Sequence, residues 1–410
     1  MKKLRIYSLL LMIFSLQISY AQTEDFYGTT LDTFSYFQDP NTGLTIFPTL
    51  LVPLGGNLQG MGTAYTAVSS DSGYIEANPA GSALLSYGEL SLLHNNWIDD
   101  SSIEGLIYTF RMNNLGLGFS GKFLYLPFTA TNNWGEAQSK GYISESIATA
   151  NISYRLFSNY YFDGLALGMN IKAAYRSIPE NIYPGQSAIT AMADFGLLTR
   201  FNLFKFFSSK SKNFSIGAAF KNLGFPALGE PLPTMFSGGI SYSMIRPITL
   251  AIDYNLPVSL DPENFPAERW YMAAGLNIFF TNFLSMQTGF MVKENPRFNM
   301  GWTLDLSDIK LIGNYNLDLS GSLSPVDKFS IEAKIKLGFK EEMEKSEKIS
   351  SLMAQGLEAY TKGEYAQAIY YWEKILEIDP NFTPAIEYIE TTRKSMDLQQ
   401  QMEKIQTELE

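Results

Sequence analysis

The chain of 410 residues contains no cysteine. Disulfide bonds, thiolate metal ligands, thiol nucleophiles and a lipid-modified N-terminal cysteine are therefore all excluded. There is one histidine, His94, so histidine-rich metal sites and Ser-His catalysis lack the residues that they need. No nucleophile-elbow, Walker or dinucleotide-binding motif is present. We therefore expect no enzyme activity, no cofactor and no metal site.

Long hydrophobic runs are also missing after the N-terminus. Residues 1–21 have a basic start, an apolar run over 6–18 and a small-x-small site at 19–21, which together predict a cleaved secretory signal. A permanent membrane helix would need about 20 apolar residues, and this run is shorter. A protein that crosses the outer membrane with strands is expected to lack such a helix, because the helix would stall export at the inner membrane.

Positive charge is scarce, since the net charge is −11 and no basic patch stands out, so nucleic-acid binding is not expected. Charge is also unevenly distributed along the chain. After residue 339, 23 of 71 residues are charged, of which 15 are acidic and 8 basic, against 17% charged residues in the whole chain. This change in composition predicts a domain boundary near residue 340.

Alternation is the dominant pattern between residues 87 and 339, where fourteen segments of about a dozen residues are apolar at every second position. Period two places the two rows of side chains on opposite faces of a strand. These segments are about twice the usual length of globular strands. They predict a mainly β fold, a 14-stranded antiparallel transmembrane barrel with an apolar outside and a polar lumen. The alternative is a soluble β-sandwich, which would have shorter strands with polar solvent faces.

The predicted strands are 87–97, 103–112, 114–126, 144–157, 163–177, 187–202, 212–224, 234–245, 247–257, 269–280, 282–292, 297–307, 309–320 and 327–339. In the fifth strand one row holds Leu165, Leu167, Met169, Ile171, Ala173 and Tyr175, and the other holds Ala166, Gly168, Asn170, Lys172, Ala174 and Arg176. His94 lies in the first strand and is predicted to face the lumen or to lie at the rim.

Loop lengths predict the orientation of the barrel. The longer connections 127–143, 178–186, 225–233 and 258–268 follow odd-numbered strands, and most tight turns follow even-numbered ones. Outer-membrane barrels have short periplasmic turns and longer outer loops, so both chain ends are expected in the periplasm. The last strand ends on Phe339, which is typical of the signal that the barrel-assembly machinery reads.

Aromatic and aliphatic residues in the outer loops are candidate first contacts for a hydrophobic ligand, or else part of a membrane-interface belt. These residues are Leu126, Phe128, Trp134, Ile182, Tyr183, Phe225 and Leu228.

Residues 22–86 do not alternate, and they are long enough to fold inside the barrel. A barrel of 14 strands is wider than its own side chains can fill, because that limit is reached at about 8 strands. We therefore predict that this region plugs the lumen. Glu76 is interpreted as a turn residue, with a lumen ion pair as the alternative. The motif residues of the predicted plug are Gly60, Met61, Gly62, Asp71, Asn78, Pro79, Ala80 and Gly81.

This motif, together with strand phrases such as 193–198 and 217–224, resembles FadL-like outer-membrane proteins, the long-chain fatty acid transporters and their PorV-type relatives, over about residues 50–339. The resemblance implies an N-terminal hatch inside a 14-stranded barrel that takes up long-chain fatty acids or other hydrophobic small molecules. The alternative is a PorV-like secretion or assembly factor that binds exported proteins. Glu76 departs from the family pattern, which commonly has an aromatic residue before Asn-Pro-Ala-Gly.

The tail, residues 340–410, is predicted to be a periplasmic helical domain. Residues 350–380 are typical of one tetratricopeptide repeat, and a third helix follows from Thr383. One repeat does not bury its own faces, so the tail should pack on its third helix, on another copy or on a periplasmic partner. A solvated appendage is the alternative. The packing residues are Gly356, Ala368, Trp372 and Pro380, and an apolar stripe on the third helix contains Leu398, Met402, Ile405 and Leu409. The predicted domains are thus 1–21, 22–86, 87–339 and 340–410.

Overall fold

The computed structural model describes residues 39–97, 101–131, 134–158, 162–180, 183–207, 211–293, 296–318, 328–380 and 382–409. The predicted signal at 1–21 and the predicted plug residues 22–38 lie outside these ranges. The strands are β1 Gly88–Asn96, β2 Ser102–Met112, β3 Leu115–Thr131, β4 Ala137–Leu156, β5 Leu165–Ser177, β6 Ala188–Phe201, β7 Phe214–Gly224, β8 Met235–Ile245, β9 Ile248–Pro257, β10 Tyr271–Phe279, β11 Leu284–Val292, β12 Arg297–Leu306, β13 Ile309–Asp318 and β14 Lys328–Leu337. The helices are α1 Gly56–Gly60, α2 Tyr74–Ala77, α3 Phe339–Thr361, α4 Tyr365–Ile378 and α5 Thr383–Leu409, with 3₁₀ helices at Pro48–Leu51 and Pro79–Leu84.

The strands form one closed barrel in which each strand pairs with its neighbours in the sequence. β1 closes the barrel against β14 in antiparallel register, from Gly88 opposite Leu337 to Asn95 opposite Ser330. The prediction of a 14-stranded antiparallel barrel is confirmed. None of the described helices is long and apolar enough to cross a membrane.

The two faces of the wall differ as the alternation predicts. On β5, Asn170 and Lys172 point inward and are buried, whereas Ile171 and Tyr175 point outward and are exposed. The same division recurs around the barrel, so large apolar side chains cover the outside. Exposed examples are Leu92, Leu106, Phe119, Ile152, Leu167, Phe195, Ile240, Leu250, Ile252, Met272, Trp302, Leu311 and Ile331.

The structure distinguishes the two positions predicted for His94, the lumen and the rim. It lies on the exposed outward row of β1, near the β1–β2 connection, rather than in the lumen. Its Nδ1 lies 2.6 Å from Glu104 Oε1. A position at the rim therefore fits, and the lumen-facing alternative was wrong because Leu93 and Asn95 occupy the inward row at this end of the strand.

The hairpin β3–β4 is longer than the sequence indicates. The predicted loop 127–143 is mostly paired strand, since the ladder runs past Leu126 opposite Ile143 to Ala130 opposite Ser139. The apolar alternation stops near Pro127, but the backbone pairing continues. Phe128 is therefore a strand residue, and its assignment to a loop was wrong. Leu126 lies in β3, as the predicted strand 114–126 has it, and not in a loop.

The last strand is shorter than predicted. β14 ends at Leu337, and Phe339 is already the first residue of α3. Gly338 adopts a φ of 71°, a left-handed conformation that glycine adopts readily and that turns the chain out of the strand. The predicted end of the strand on Phe339 was therefore wrong.

The tail helices α3, α4 and α5 pack around Trp372. Its indole is fully buried and stacks on the Tyr388 ring at 5.1 Å between centroids. Ala368 is buried in the same core, and Gly356 of α3 faces the indole. Pro380 follows the end of α4. The small-large spacing in the sequence thus corresponds to a real contact between two helices.

We expect Gly356→Val to separate α3 from α4. A Cβ at this position would lie 2.3 Å from Trp372 Nε1, so the added side chain would overpack the contact at a cost of about 1–3 kcal/mol. The measurement is the rate of tryptic cleavage after Lys362, which should rise. Ala354→Val likewise introduces a valine, but on the exposed face of α3, and should leave the rate unchanged.

Candidate functional site

Residues 39–86, which we call the lumen segment, lie inside the barrel against inward-facing glycines of the wall. A Cβ at Gly168 would lie 2.2 Å from the Pro79 carbonyl oxygen, closer than real Cβ atoms approach. The wall therefore lacks side chains where the backbone of the lumen segment passes. The wall glycines that face backbone atoms of the lumen segment in this way are Gly116, Gly168, Gly217, Gly275 and Gly289, whereas Gly105 and Gly196 face side chains of the segment.

The predicted Gly-Met-Gly motif lies against β10–β13. Gly60 is packed next to Asn314 and Gln287 of the wall. Met61 is fully buried, and a Cβ at Gly275 would lie 2.7 Å from its carbonyl oxygen. Gly62 has a φ of 62°, which disfavours any residue with a side chain.

The Asn78-Pro79-Ala80-Gly81 motif fixes the other end of the lumen segment. The Asn78 side chain accepts a hydrogen bond from Ala80 N at 3.1 Å, and this caps the 3₁₀ helix Pro79–Leu84. Its Nδ2 donates to the carbonyl oxygens of Thr66 and Leu197, both at 2.9 Å. The motif therefore joins two parts of the lumen segment to β6.

Asp71 is the charged anchor of the lumen segment. Its Oδ2 lies 2.6 Å from Lys334 Nζ of β14, and both side chains are buried. Asn57 Nδ2 donates to Oδ2 at 2.7 Å, while Tyr65 OH and Gly73 N donate to Oδ1 at 2.8 and 3.0 Å. Four donors thus hold one carboxylate, which is a strong buried arrangement.

Further charged residues of the wall bind the backbone of the lumen segment. Asp253 of β9 accepts hydrogen bonds from Tyr65 N and Thr66 N at 2.9 and 2.8 Å. Arg200 of β6 donates to the Val68 carbonyl at 2.7 Å. Because these contacts come from different sides of the barrel, the segment is fixed across the lumen.

Glu76 corrects another prediction. Its carboxylate lies 3.0 Å from Lys122 Nζ of β3, and Lys122 also donates to the Val52 carbonyl at 2.8 Å. The turn interpretation was wrong and the ion-pair alternative was right. Nothing local in the sequence indicates that Lys122, which lies 46 residues later, points inward at this level.

A cavity of about 470 Å³, which we call the chamber, remains between the lumen segment and the β7–β14 and β1 side of the wall. It lies toward the connections that follow odd-numbered strands. Its apolar lining includes Leu50, Leu51, Val52, Leu58, Trp97, Met235, Tyr271 and Met291. Its polar lining includes Glu76, Asn95, Lys221, Asn255, Glu268, Lys293, Arg297, Asn299, Asn316 and Lys328.

A smaller cavity, which we call the vestibule, adjoins the chamber near loops 225–233 and 258–268. It has a volume of about 40 Å³ and apolar walls that include Leu44, Leu232, Val258 and Phe265. Six residues line both cavities, and we call this shared wall the neck: Thr45, Leu51, Met235, Glu268, Tyr271 and Lys293. In the neck, Tyr271 OH lies 3.3 Å from Met235 Sδ, and Lys293 Nζ lies 2.7 Å from Glu268 Oε2.

Residues 32–340 match the model of a family described as "Uncharacterised protein family (UPF0164)". The chain belongs to the UPF0164 family. One UPF0164 protein of Treponema pallidum (strain Nichols) is 27% identical over 381 residues, which are 87% of this chain and 84% of the relative. Another from the same strain is 31% identical over 179 residues, covering 42% of this chain and 52% of that protein.

Two solved structures resemble this UPF0164 member. The toluene transporter TbuX of Ralstonia pickettii has 12% sequence identity and a TM-score of 0.47, with coverage of 69% of this chain and 98% of that one. The toluene transporter TodX of P. putida has 10% identity and a TM-score of 0.45, with coverage of 68% and 96%.

The predicted hydrophobic loop contacts of this UPF0164 member do not meet at the chamber. Trp134 is 88% exposed, and Tyr183, Phe225 and Leu228 are exposed as well. Ile182 lies outside the described residues. None of the six described candidates lines the chamber or the vestibule, so their role as ligand contacts stays a prediction.

The sequence did not predict that cationic side chains line the chamber. Lys221, Lys293, Arg297 and Lys328 lie at or beside those ends of their strands from which the longer loops leave. The signal that could have found them is their place on the polar row of each strand, since that row faces the lumen.

Proposed function

We propose that this UPF0164 member is an outer-membrane barrel that admits hydrophobic or amphipathic small molecules, with long-chain fatty acids as the reference class, and that it performs no catalysis. The observation that carries this proposal is the chamber, a cavity beside the lumen segment with both apolar and polar lining, which shares six lining residues with the vestibule. Its volume of about 470 Å³ lies in the range of small-molecule sites.

The apolar outer surface of the barrel supports a location in the lipid bilayer. Closed barrels satisfy every backbone hydrogen bond between strands and leave no edge, so they can cross a bilayer. The exposed apolar rows suit hydrocarbon and would be poorly solvated in water. The barrel-assembly machinery would insert the chain, and the even number of strands would leave residues 39–86 and the tail helices connected to the periplasmic side.

The lumen segment inside the barrel supports selection of hydrophobic over hydrophilic solutes. A water-filled channel would not favour an acyl chain over a hydrophilic solute. Transfer of the chain from water onto the apolar part of the chamber lining gains about 0.8 kcal/mol per buried CH₂ group. The lumen segment therefore acts in this proposal as a hatch that blocks the aqueous path and leaves the chamber, whose lining is partly apolar.

We expect Met235→Trp to lower uptake of a fluorescent long-chain fatty acid about tenfold, because the larger ring fills the neck between vestibule and chamber. Uptake is measured in cells that carry the chain and in cells that lack it. Phe236→Trp makes a similar change on the outward face of the same strand and should leave uptake unchanged.

Equal uptake in cells with and without the chain would reject the proposal. Equal loss in both variants would instead indicate a general defect in the barrel. Migration in SDS gels before and after heating tells whether each variant is folded.

A PorV-like secretion or assembly role is the second candidate, and the tail supports it. Leu398 and Met402 of α5 are 61% and 64% exposed and lie on one side of the helix. A periplasmic partner recruited by a tetratricopeptide-like tail would cover such side chains. Under this alternative the purified chain carries a bound polypeptide, and under the first proposal it carries extractable lipid.

A further inference from the structure

Two lysines of the chamber have neither an ion pair nor a hydrogen bond with any described residue. Lys328 is 6% exposed, and its Nζ lies 3.4 Å from the centroid of the Trp97 ring. The charges of Asp194 and Asp253 act on Lys221, but both carboxylates lie beyond ion-pair distance from it. Lys221 is partly buried, and the only partner of the buried Lys328 among the described residues is the Trp97 ring. A buried cation without a carboxylate is costly, so these groups call for an explanation.

Arg297 adds to the same excess of positive charge. Its Nε has no hydrogen-bond partner among the described residues and lies 3.9 Å from Asp318. Arg297 and Lys328 lie on β12 and β14, at the same end of the barrel on either side of β13. They therefore face the chamber from neighbouring parts of its wall.

The carboxylates of the chamber do not offset this charge, because each already has a cation. Glu76 pairs with Lys122 and Glu268 pairs with Lys293. Lys221 and Lys328 have no carboxylate within ion-pair distance among the described residues, and Arg297 has only the long contact with Asp318 at 3.9 Å. These three cations fit a ligand that brings its own negative charge.

Amide side chains give the chamber a second property. Asn95, Asn255, Asn299 and Asn316 line it. Asn255 Nδ2 and Asn316 Oδ1 are buried and have no hydrogen-bond partner among the described residues. An amide oxygen needs a donor, which a carboxylate or a hydrocarbon does not offer, whereas a hydroxyl group offers both a donor and an acceptor.

We propose that the chamber binds the headgroup of an amphiphile that carries both a phosphate and hydroxyl groups, such as a lysophospholipid. The phosphate is held by Lys328 and Arg297, and the hydroxyl groups bond to the asparagines. The acyl chain follows Leu58 and Met291 and leaves through the neck along the vestibule. This inference rests on the proposed uptake function and names its substrate class.

The test compares three probes with the same acyl chain on the purified full chain in nanodiscs. Lysophosphatidylglycerol has charge and hydroxyl groups, palmitic acid has charge only, and monopalmitoylglycerol has hydroxyl groups only. We expect lysophosphatidylglycerol to bind at least about tenfold more tightly than either of the others, because it alone matches both features of the chamber.

Two variants separate the contributions. Lys328→Met should weaken both charged probes about tenfold and leave monopalmitoylglycerol unchanged, since it removes one charge-assisted contact. Asn316→Leu should weaken the two hydroxylated probes and leave palmitic acid unchanged. Lys362→Met, on the exposed surface of the tail, is the control and should change nothing. Heat-dependent migration in SDS gels confirms that each variant is folded.

The outcomes distinguish the two proposals. If palmitic acid binds as tightly as lysophosphatidylglycerol, the headgroup assignment is overturned and the uptake function stands. Tight binding of lysophosphatidylglycerol that neither variant changes also overturns the assignment to this chamber. If none of the three probes binds, the uptake function fails and this inference fails with it.

Discussion

Gly289→Leu is expected to turn a closed lumen into an ion-conducting one. A Cβ on Gly289 would lie 2.2 Å from Gly62 N and 2.2 Å from the Met61 carbonyl carbon. Both are backbone atoms, so no side-chain rotation relieves the clash, and the lumen segment must leave the wall. A barrel of fourteen strands without its filling is wide enough for hydrated ions.

Single-channel current in planar bilayers is the measurement. We expect conductance to rise at least about tenfold over the wild type, since an open barrel of this width is water-filled. The control is Gly121→Leu, a glycine on the outward face of β3 with no atom within 4 Å of the added Cβ. That variant should stay closed. Closed channels in both variants would mean that the lumen segment tolerates displacement from β11 without opening a path.

The barrel was predictable from the sequence because period two is a local property. Each strand records which row faces lipid and which faces the lumen, as Leu167 and Asn170 do on β5. The ends of the strands were less predictable. Above the apolar band the β3–β4 hairpin keeps its backbone pairing without any demand for apolar alternation, so the pattern stops before the strand does. His94 lies in the same zone at the rim, where the polarity of a residue no longer indicates which face it occupies.

The candidate site was only partly predictable. The Gly-Met-Gly and Asn-Pro-Ala-Gly motifs indicate close backbone packing, and the structure places both against the wall. The partners could not be predicted, because Asp71 meets a lysine 263 residues away and Glu76 meets one 46 residues away. The chamber could not be predicted from the sequence for the same reason, because its walls come from many strands that only closure of the barrel brings together.

The structure of the tail was partly predictable from the sequence. The spacing of Gly356 and Trp372 predicts a contact between two helices, because small and large residues at those positions interlock. No sequence pattern predicts what covers Leu398 and Met402, because exposed apolar side chains can face solvent, another copy or a partner.

Lys334→Met is expected to destabilise the folded barrel by about 3–5 kcal/mol, because it leaves the buried Asp71 carboxylate without its cation. Lys334 Nζ lies 2.6 Å from Asp71 and 3.5 Å from Glu332, and its side chain is fully buried. Methionine has a similar length, so the loss is one of charge rather than volume. The measurement is the urea midpoint for unfolding from lipid vesicles.

The double variant Asp71→Asn with Lys334→Met gives the decisive comparison. If the loss comes from an uncompensated charge, removing the carboxylate as well should recover part of it, because the asparagine can keep the contact from Tyr65 OH at 2.8 Å. Glu358→Gln breaks an exposed pair with Lys362 in the tail and should leave the midpoint unchanged. Losses that simply add in the double variant would instead mean that Asp71 and Lys334 act independently. The lumen segment would then be held by its glycine contacts, and charge would have little part in closing the barrel.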